Sequence, residues 1–140
     1  MDHVGVVVDD LPAAKAFFVE LGLTVQGEWT AEGAWVDRVV GLVGVRADCA
    51  MLETPDGHSQ IELVKFDAPS SPDGDPHAPS HALGLRHITF GVDDLDATVA
   101  RLRPLGAELV GEVEEYENIY RLCYIRGPAG IIVELGERIG

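Results

Sequence analysis

Arg86-His87-Ile88-Thr89-Phe90-Gly91-Val92-Asp93-Asp94-Leu95 decides how the chain is read, because it has a counterpart 84 positions earlier, Asp2-His3-Val4-Gly5-Val6-Val7-Val8-Asp9-Asp10-Leu11. His3 aligns with His87, and Val8-Asp9-Asp10-Leu11 with Val92-Asp93-Asp94-Leu95. Without a gap the match continues: Ala13 with Ala97, Ala16 with Ala100, Leu21-Gly22 with Leu105-Gly106, Gly27-Glu28 with Gly111-Glu112. These are 11 identities in the 26 pairs from His3 to Glu28, where ordinary composition gives about one or two by chance. One supersecondary unit is used twice, and each copy opens with a histidine.

Outward from that match, each copy reads as β-α-β-β-β. Val4 to Val8 is a short β-branched run, hence a strand with a buried character. Asp9 or Asp10 caps the following helix, Pro12 sits harmlessly in its first turn, and Leu11, Ala14, Phe18 and Leu21 share one face up to Gly22. Strands are expected over Leu23–Trp29, Val45–Leu52 and Ser59–Phe66, with a turn at Thr54-Pro55-Asp56-Gly57. The stretch Glu32–Leu42 reads either as a helix with Trp35, Val39 and Leu42 on one face or as a loop over a cavity. The second copy repeats the plan: strand Leu85–Val92, helix Asp94–Leu105 with Leu95, Val99, Leu102 and Leu105 inward, then strands Glu108–Val113, Ile119–Ile125 and Ile131–Leu135. Glu114–Asn118 reads as an acidic connection. One domain over residues 1–140 is expected, with module one at 1–66, a Pro/Ser/Asp/His/Gly linker at 67–83 and module two at 84–140. The linker histidines, His77 and His81, read as solvated.

Ten Lys and Arg against 24 Asp and Glu give a net charge of −14. That field repels nucleic acid and anionic membrane, and no basic stripe offsets it. No apolar run reaches the roughly 18 residues needed to span a bilayer, and the start lacks a basic region followed by an apolar core, so no signal peptide is read. Cys49 and Cys123 lie in apolar strand-like runs, as buried reduced thiols of a cytoplasmic protein do.

The chemistry lies in four residues. Ile61-Glu62-Leu63 closes the first copy and Val133-Glu134-Leu135 the second, each placing a carboxylate among apolar neighbours. An unpaired buried carboxylate costs several kcal/mol, so such a glutamate is either on a wet face or held by a strong partner. Two copies related by a pseudo-twofold axis are expected to bring His3, Glu62, His87 and Glu134 together. Two imidazoles and two carboxylates form a mixed N/O set suited to one divalent ion, Zn, Co, Ni, Mn or Fe. Taken singly these are ordinary strand histidines and edge glutamates. Their fourfold recurrence at repeat-equivalent places points to metal.

With these residues in view, the chain resembles the vicinal oxygen chelate superfamily, which includes glyoxalase I, methylmalonyl-CoA epimerase, fosfomycin-resistance enzymes, extradiol dioxygenases and bleomycin-resistance proteins. The resemblance covers essentially the whole chain. It rests on His3 and His87 with Val-Asp-Asp-Leu after each, on Ile61-Glu62-Leu63, and on the closing Gly127-Pro128-Ala129-Gly130-Ile131-Ile132-Val133-Glu134-Leu135. It implies an α+β fold of paired βαβββ modules forming a cupped mixed sheet with flanking helices. It also implies a metal binding two vicinal oxygens of a small-molecule substrate, and a homodimer. Glu134 matches the last-strand glutamate that is a ligand and is implicated in proton transfer in the glyoxalase and epimerase branches, so the resemblance makes it the base.

Departures from the family pattern narrow the branch. Val7 stands where bacterial glyoxalase I has an arginine, and Phe66 where an asparagine follows the second ligand, which disfavours glutathione. Glu62 departs from the His-His-Glu set of fosfomycin enzymes. The epimerase-like branch fits best, with Asp48 or Glu53 as candidates for its second acid. Against it, Arg38, Arg46, Lys65, Arg121 and Arg126 are scattered single charges and form no cluster for CoA phosphates. The competing reading is a non-catalytic protein of the bleomycin-resistance type. Such a protein sequesters an apolar natural product in a cleft lined by Trp29, Trp35, Tyr116 and Tyr120, residues that core or rim packing also explains.

Overall fold

A computed structural model describes all of residues 1–140, in two compact units, Met1–Gly74 and Asp75–Gly140. In the first, β1 (Val4–Val7), α1 (Leu11–Leu21), β2 (Thr24–Glu32), α2 (Ala34–Val40), β3 (Arg46–Glu53) and β4 (Gln60–Ala68) build a four-stranded sheet ordered β1-β4-β3-β2. In the second, β5 (His87–Val92), α3 (Leu95–Leu102), β6 (Glu108–Leu109), β7 (Glu114–Tyr116), β8 (Tyr120–Arg126) and β9 (Ile132–Arg138) build a sheet ordered β5-β9-β8-β6, with β7 also paired to β8. The first and last strands of each unit are parallel neighbours, and the remaining pairs are antiparallel. The class is α+β with paired modules, as the repeat requires.

Val-Asp-Asp-Leu is the strand-to-helix junction in both copies. Its second aspartate is the cap: Asp10 Oδ1 accepts from the Ala13 N–H and Asp94 Oδ1 from the Ala97 N–H, both at 3.0 Å. Each such cap contributes about 1 kcal/mol. Gly22 (φ 116°) and Gly106 (φ 95°) stop the helical segments in the left-handed region, where a Cβ is strained. On α1 the buried residues are Ala14, Phe17 and Phe18, so Phe17 joins the face expected from spacing while Leu11 and Leu21 are half-buried. The two phenyl rings meet edge to face with centroids 5.2 Å apart. They are buried, as are Leu52, Leu63, Ile61 and Val6, and α1 packs on β3 and β4. In the second unit Leu95, Val99 and Leu102 of α3 are buried with Ile125, Val133 and Leu135. The last helical turn tightens to a 3-10 turn at Arg103–Leu105, because Pro104 has no N–H to give an α-helical bond. Leu105 thereby turns outward and is 43% exposed, against the helical expectation.

Four other elements differ from what the sequence predicts. Val4–Val8 alternates instead of being buried throughout: Val6 and Val8 are buried and Val7 is 50% exposed. Glu32–Leu42 contains a helix, but its inward residue is Val36, packed with Val45, Ala47 and Cys49, while Trp35, Val39 and Leu42 are exposed. β4 runs two residues into the stretch expected to be linker. Most consequentially, Glu108–Val113 is not one strand. Only Glu108–Leu109 and the acidic Glu114–Tyr116 pair with β8.

That break is an enlarged version of a bulge in the first copy. Between Val25 and Gly27 two steps on β2 oppose one step on β3, from Leu52 to Met51, so one residue is extra. Between Leu109 and Glu114 five steps oppose three on β8, from Ile125 to Leu122, so two are extra. Val110 still donates to the Tyr124 carbonyl at 2.8 Å, and Gly111–Val113 then loop out.

Asp37 ties α2 to β3, its carboxylate accepting from the Gly44 N–H at 2.9 Å and the Val45 N–H at 2.8 Å. These bonds, Val45's first, hold its carboxyl below the usual range. A carboxyl whose pKa is depressed on folding adds stability above its unfolded pKa of roughly 4, and loses it as pH falls through the folded value. Urea midpoints followed from pH 6 down to pH 2 should therefore decline less steeply for Asp37→Asn than for the unaltered protein. Parallel acid limbs would refute the assignment.

Both cysteines are free and buried, as their apolar flanks predict. Burial, aided by the charges of Glu62 and Asp48, pushes the Cys49 thiol up to about 11, and burial also raises Cys123. Neither is a thiolate nucleophile near neutral pH. No helix is long and apolar enough to cross a membrane.

Candidate metal-ligand pairs and their clefts

The parallel pairing of first and last strands is what brings a histidine to a glutamate. In the β1–β4 register Gly5 lies beside Glu62, and alternation carries His3, Gly5 and Val7 to one face. Ile61 and Leu63 point the other way, into the core with α1. His3 Nε2 stands 3.8 Å from Glu62 Oε2. Its Nδ1 is 2.6 Å from Asp2 Oδ2, a contact that favours a proton on Nδ1 and leaves Nε2 turned to Glu62. The Asp2 hydrogen bond raises the His3 pKa above its ordinary value, with Glu62 adding and desolvation opposing.

In the second unit Thr89 lies beside Glu134 in the β5–β9 register, and His87 is two residues before it on the same face. His87 Nε2 is 3.3 Å from Glu134 Oε2, with the two side chains 39% and 19% exposed. Thr89 Oγ1 donates to the same Oε2 at 2.7 Å. On the other flank Tyr124 pairs with Glu134 across β8–β9. Its ring lies 5.0 Å from the His87 ring at 34°, with its hydroxyl 3.4 Å from His87 Nδ1.

Two donors each about 2.1 Å from one ion, at angles between octahedral and tetrahedral, lie about 3.0–3.4 Å apart. The second pair has that spacing and the first lies just outside it. The donor types also fit, an imidazole and a carboxyl group on a water-exposed sheet face. Neither unit has a group of three or more His, Cys, Asp or Glu side chains arranged to hold a metal ion. Each gathers a pair.

The other sequence candidates separate clearly. Asp48 has the strand parity of Ala50 and Leu52, opposite to Met51, which pairs with Glu62, so it faces away from that carboxylate. It accepts from Thr30 Oγ1 at 2.9 Å, which lowers its pKa, in a cleft of about 620 Å³ at the start of α1 that also takes in Asp9, Lys15 and Lys65. Glu53 pairs with Gln60 at the end of its strand. His77 and His81 are exposed. Four of the five scattered cations are ion-pair or structural residues. Arg121 grips Asp96 through both nitrogens at 3.0 Å, Arg46 meets Glu32 at 2.9 Å, Lys65 lies 3.7 Å from Asp67, and Arg126 donates to the Gly130 carbonyl at 3.1 Å. Trp29, Trp35, Tyr116 and Tyr120 are 41%, 60%, 57% and 39% exposed, so none is a core residue.

A second cleft, of about 340 Å³, has Glu134 in its wall. Its lining includes Ser80, Val110, Gly111, Glu112 and Tyr124, so the looped-out residues form part of its wall. Thr89 and Tyr124 are site residues that sequence reasoning misses. Period-two spacing from His87 already places Thr89 on the histidine's face. Tyr124 emerges only from the antiparallel register of β8 on β9.

A profile described as the Glyoxalase/Bleomycin resistance protein/Dioxygenase superfamily matches residues 2–124. The uncharacterized protein YaeR of Escherichia coli is 32% identical over 143 residues, 97% of this chain and 94% of its own. The uncharacterized protein YwbC of Bacillus subtilis is 29% identical over 142 residues, 99% and 97% of the two chains. Among solved structures, a glyoxalase family protein from Bacillus cereus is 49% identical with a TM-score of 0.95, over 100% of this chain and 94% of that one.

Proposed function

The chain belongs to the glyoxalase/bleomycin resistance protein/dioxygenase superfamily, and from that membership we propose a divalent-metal-dependent enzyme that moves a proton on the carbon next to a carbonyl. Its substrate is small and oxygenated, and its reaction is an epimerisation, isomerisation or lyase step of the methylmalonyl-CoA epimerase-like branch. The observation that carries this reading is the His–Glu pairing made twice from repeat-related positions, at 3.8 Å and 3.3 Å. His3, Glu62, His87 and Glu134 are the proposed ligands. A bound divalent ion, Zn, Co, Ni, Mn or Fe, supplies a Lewis acid that stabilises charge developing on substrate oxygen.

Glu134 is the proposed base. Its Oε2 is occupied by Thr89, and Oε1 accepts the proton leaving carbon and returns it to the neighbouring atom, so an isomerisation balances, whereas an epimerisation needs a second acid to deliver a proton to the opposite face. The cleft that Glu134 lines supports a small substrate. The same reading takes residues 1–140 as one domain, 1–66 and 84–140 being modules joined by 67–83, in a cytoplasmic homodimer.

Metal analysis of freshly purified protein should find, or restore on reloading, about one divalent ion per chain. Solvent deuterium should then enter carbon 2 of methylmalonyl-CoA, or carbon 3 of a 2-oxo acid, in a metal-dependent way. Metal without exchange into any such compound would remove the proton-transfer assignment.

A second reading, a non-catalytic protein that sequesters an apolar natural product, draws on the four exposed aromatics Trp29, Trp35, Tyr116 and Tyr120. It predicts no metal uptake, and a thermal shift with bleomycin-like ligands instead.

A further inference from the structure

The two His–Glu pairs share their residue types and strand positions, but not their neighbours. Glu134 is flanked by Thr89 on β5 and Tyr124 on β8. Glu62 is flanked by Gly5 on β1 and Met51 on β3. Glu134 thus has a hydroxyl-bearing residue on each side and Glu62 has none. From this difference we infer that Thr89 is a positioning residue that fixes the Glu134 carboxylate for metal binding, so that the second module supplies the ordered half of the ligand set. The inference rests on the metal reading above and names what distinguishes the pairs within it.

The argument is geometric. Thr89 Oγ1 donates at 2.7 Å to Oε2, the same oxygen that lies 3.3 Å from His87 Nε2. A hydrogen bond to one carboxylate oxygen selects one rotamer and leaves the second oxygen as the open acceptor. Thr89 is β-branched and sits in a strand, so its own χ1 is restricted and its hydroxyl arrives already aimed. Tyr124, its ring beside the His87 ring and its hydroxyl 3.4 Å from Nδ1, limits that ring from the other side. Glu62 has no such donor beside it, because glycine occupies the place of the threonine. Its separation from His3 is correspondingly longer, 3.8 Å.

The test uses the full chain loaded with Co2+, whose visible absorption reports ligand geometry without any substrate. Thr89→Val keeps the shape of the side chain and removes only the donor. It should weaken Co2+ binding by about 10–100-fold, the range for loss of an outer-shell partner, and shift the Co2+ bands. Thr89→Ser should restore both to near the unaltered values, which a merely structural effect of the valine would not do. Gly5→Thr gives the converse. A Cβ at Gly5 meets nothing within 4 Å, and the transplanted hydroxyl beside Glu62 should tighten Co2+ binding severalfold. Co2+ affinity and spectrum unchanged in Thr89→Val would overturn the inference while leaving the metal reading intact. No Co2+ binding by the unaltered protein would overturn both.

Discussion

Alanine in place of His87 or of Glu134 is expected to strip the protein of stoichiometric divalent metal. Loss of an outer-shell partner costs roughly 10–100-fold in affinity, and loss of a direct donor costs more because nothing nearby replaces it. The neighbours hold little in reserve. Thr89 and Tyr124 offer hydroxyls, and although Glu112 lines the same cleft, no third His, Cys, Asp or Glu joins the pair in a group able to hold a metal. The fold should survive, since His87 is 39% exposed and Glu134 19%, on the face turned away from the Val133 and Leu135 core. Circular dichroism and a urea unfolding free energy within about 1 kcal/mol of the unaltered protein would establish that. Metal content of the folded variants, measured by mass spectrometry, then decides the matter. Full metal in both variants would sink the ligand assignment.

Gly130→Ala should be the most damaging single-methyl change in the second unit. Gly130 ends the 3-10 turn Pro128–Gly130 with φ at +76°, where an added Cβ is strained on conformational grounds alone. Steric conflict compounds that. The Cβ would stand 2.2 Å from the Pro76 carbonyl oxygen, 2.4 Å from its Cα and 2.6 Å from its carbonyl carbon. These are main-chain atoms and cannot rotate aside, so either the turn or the Pro76 segment must move. The turn is pinned by the Gly130 N–H on the Gly127 carbonyl at 3.0 Å and by Arg126 on the Gly130 carbonyl. Strain and overpacking together come to about 2–5 kcal/mol, read as a lowered urea midpoint. Ala129→Gly, at a residue with φ of 56°, should by contrast cost nothing or stabilise. Equal midpoints for Gly130→Ala and the unaltered protein would refute the account.

The repeat makes much of this legible. Strand alternation has a period of two, so a histidine opening the first strand and a glutamate in the last meet on one face wherever those strands pair in parallel. That is why His3 and His87 each have a glutamate partner. Three things stay hidden, each for a physical reason. Val110-Gly111-Glu112-Val113 has the composition of a strand, and only its register against β8 reveals that two residues do not fit. The inward face of α2 is not the one its spacing suggests, because its few residues lie between Gly33 and Gly41, both at positive φ. Val36 is set by packing on Ala47 and Cys49 rather than by any periodicity. Thr89 and Tyr124 carry no signal alone. Threonine and tyrosine are common strand residues, and their role depends on what lies beside them in the ladder.

The widened bulge gives the two copies different evolutionary freedom. In the first copy the chain leaves the ladder by one residue, and in the second by two, beside Glu134. Residues 111–113 bear no ladder bonds, so they tolerate insertion and recomposition, while His87, Thr89, Tyr124 and Glu134 hang on β5, β8 and β9 and do not move with them. A lineage descending from this chain can thus diversify what reaches its second glutamate by rewriting three positions and leaving its inherited frame untouched.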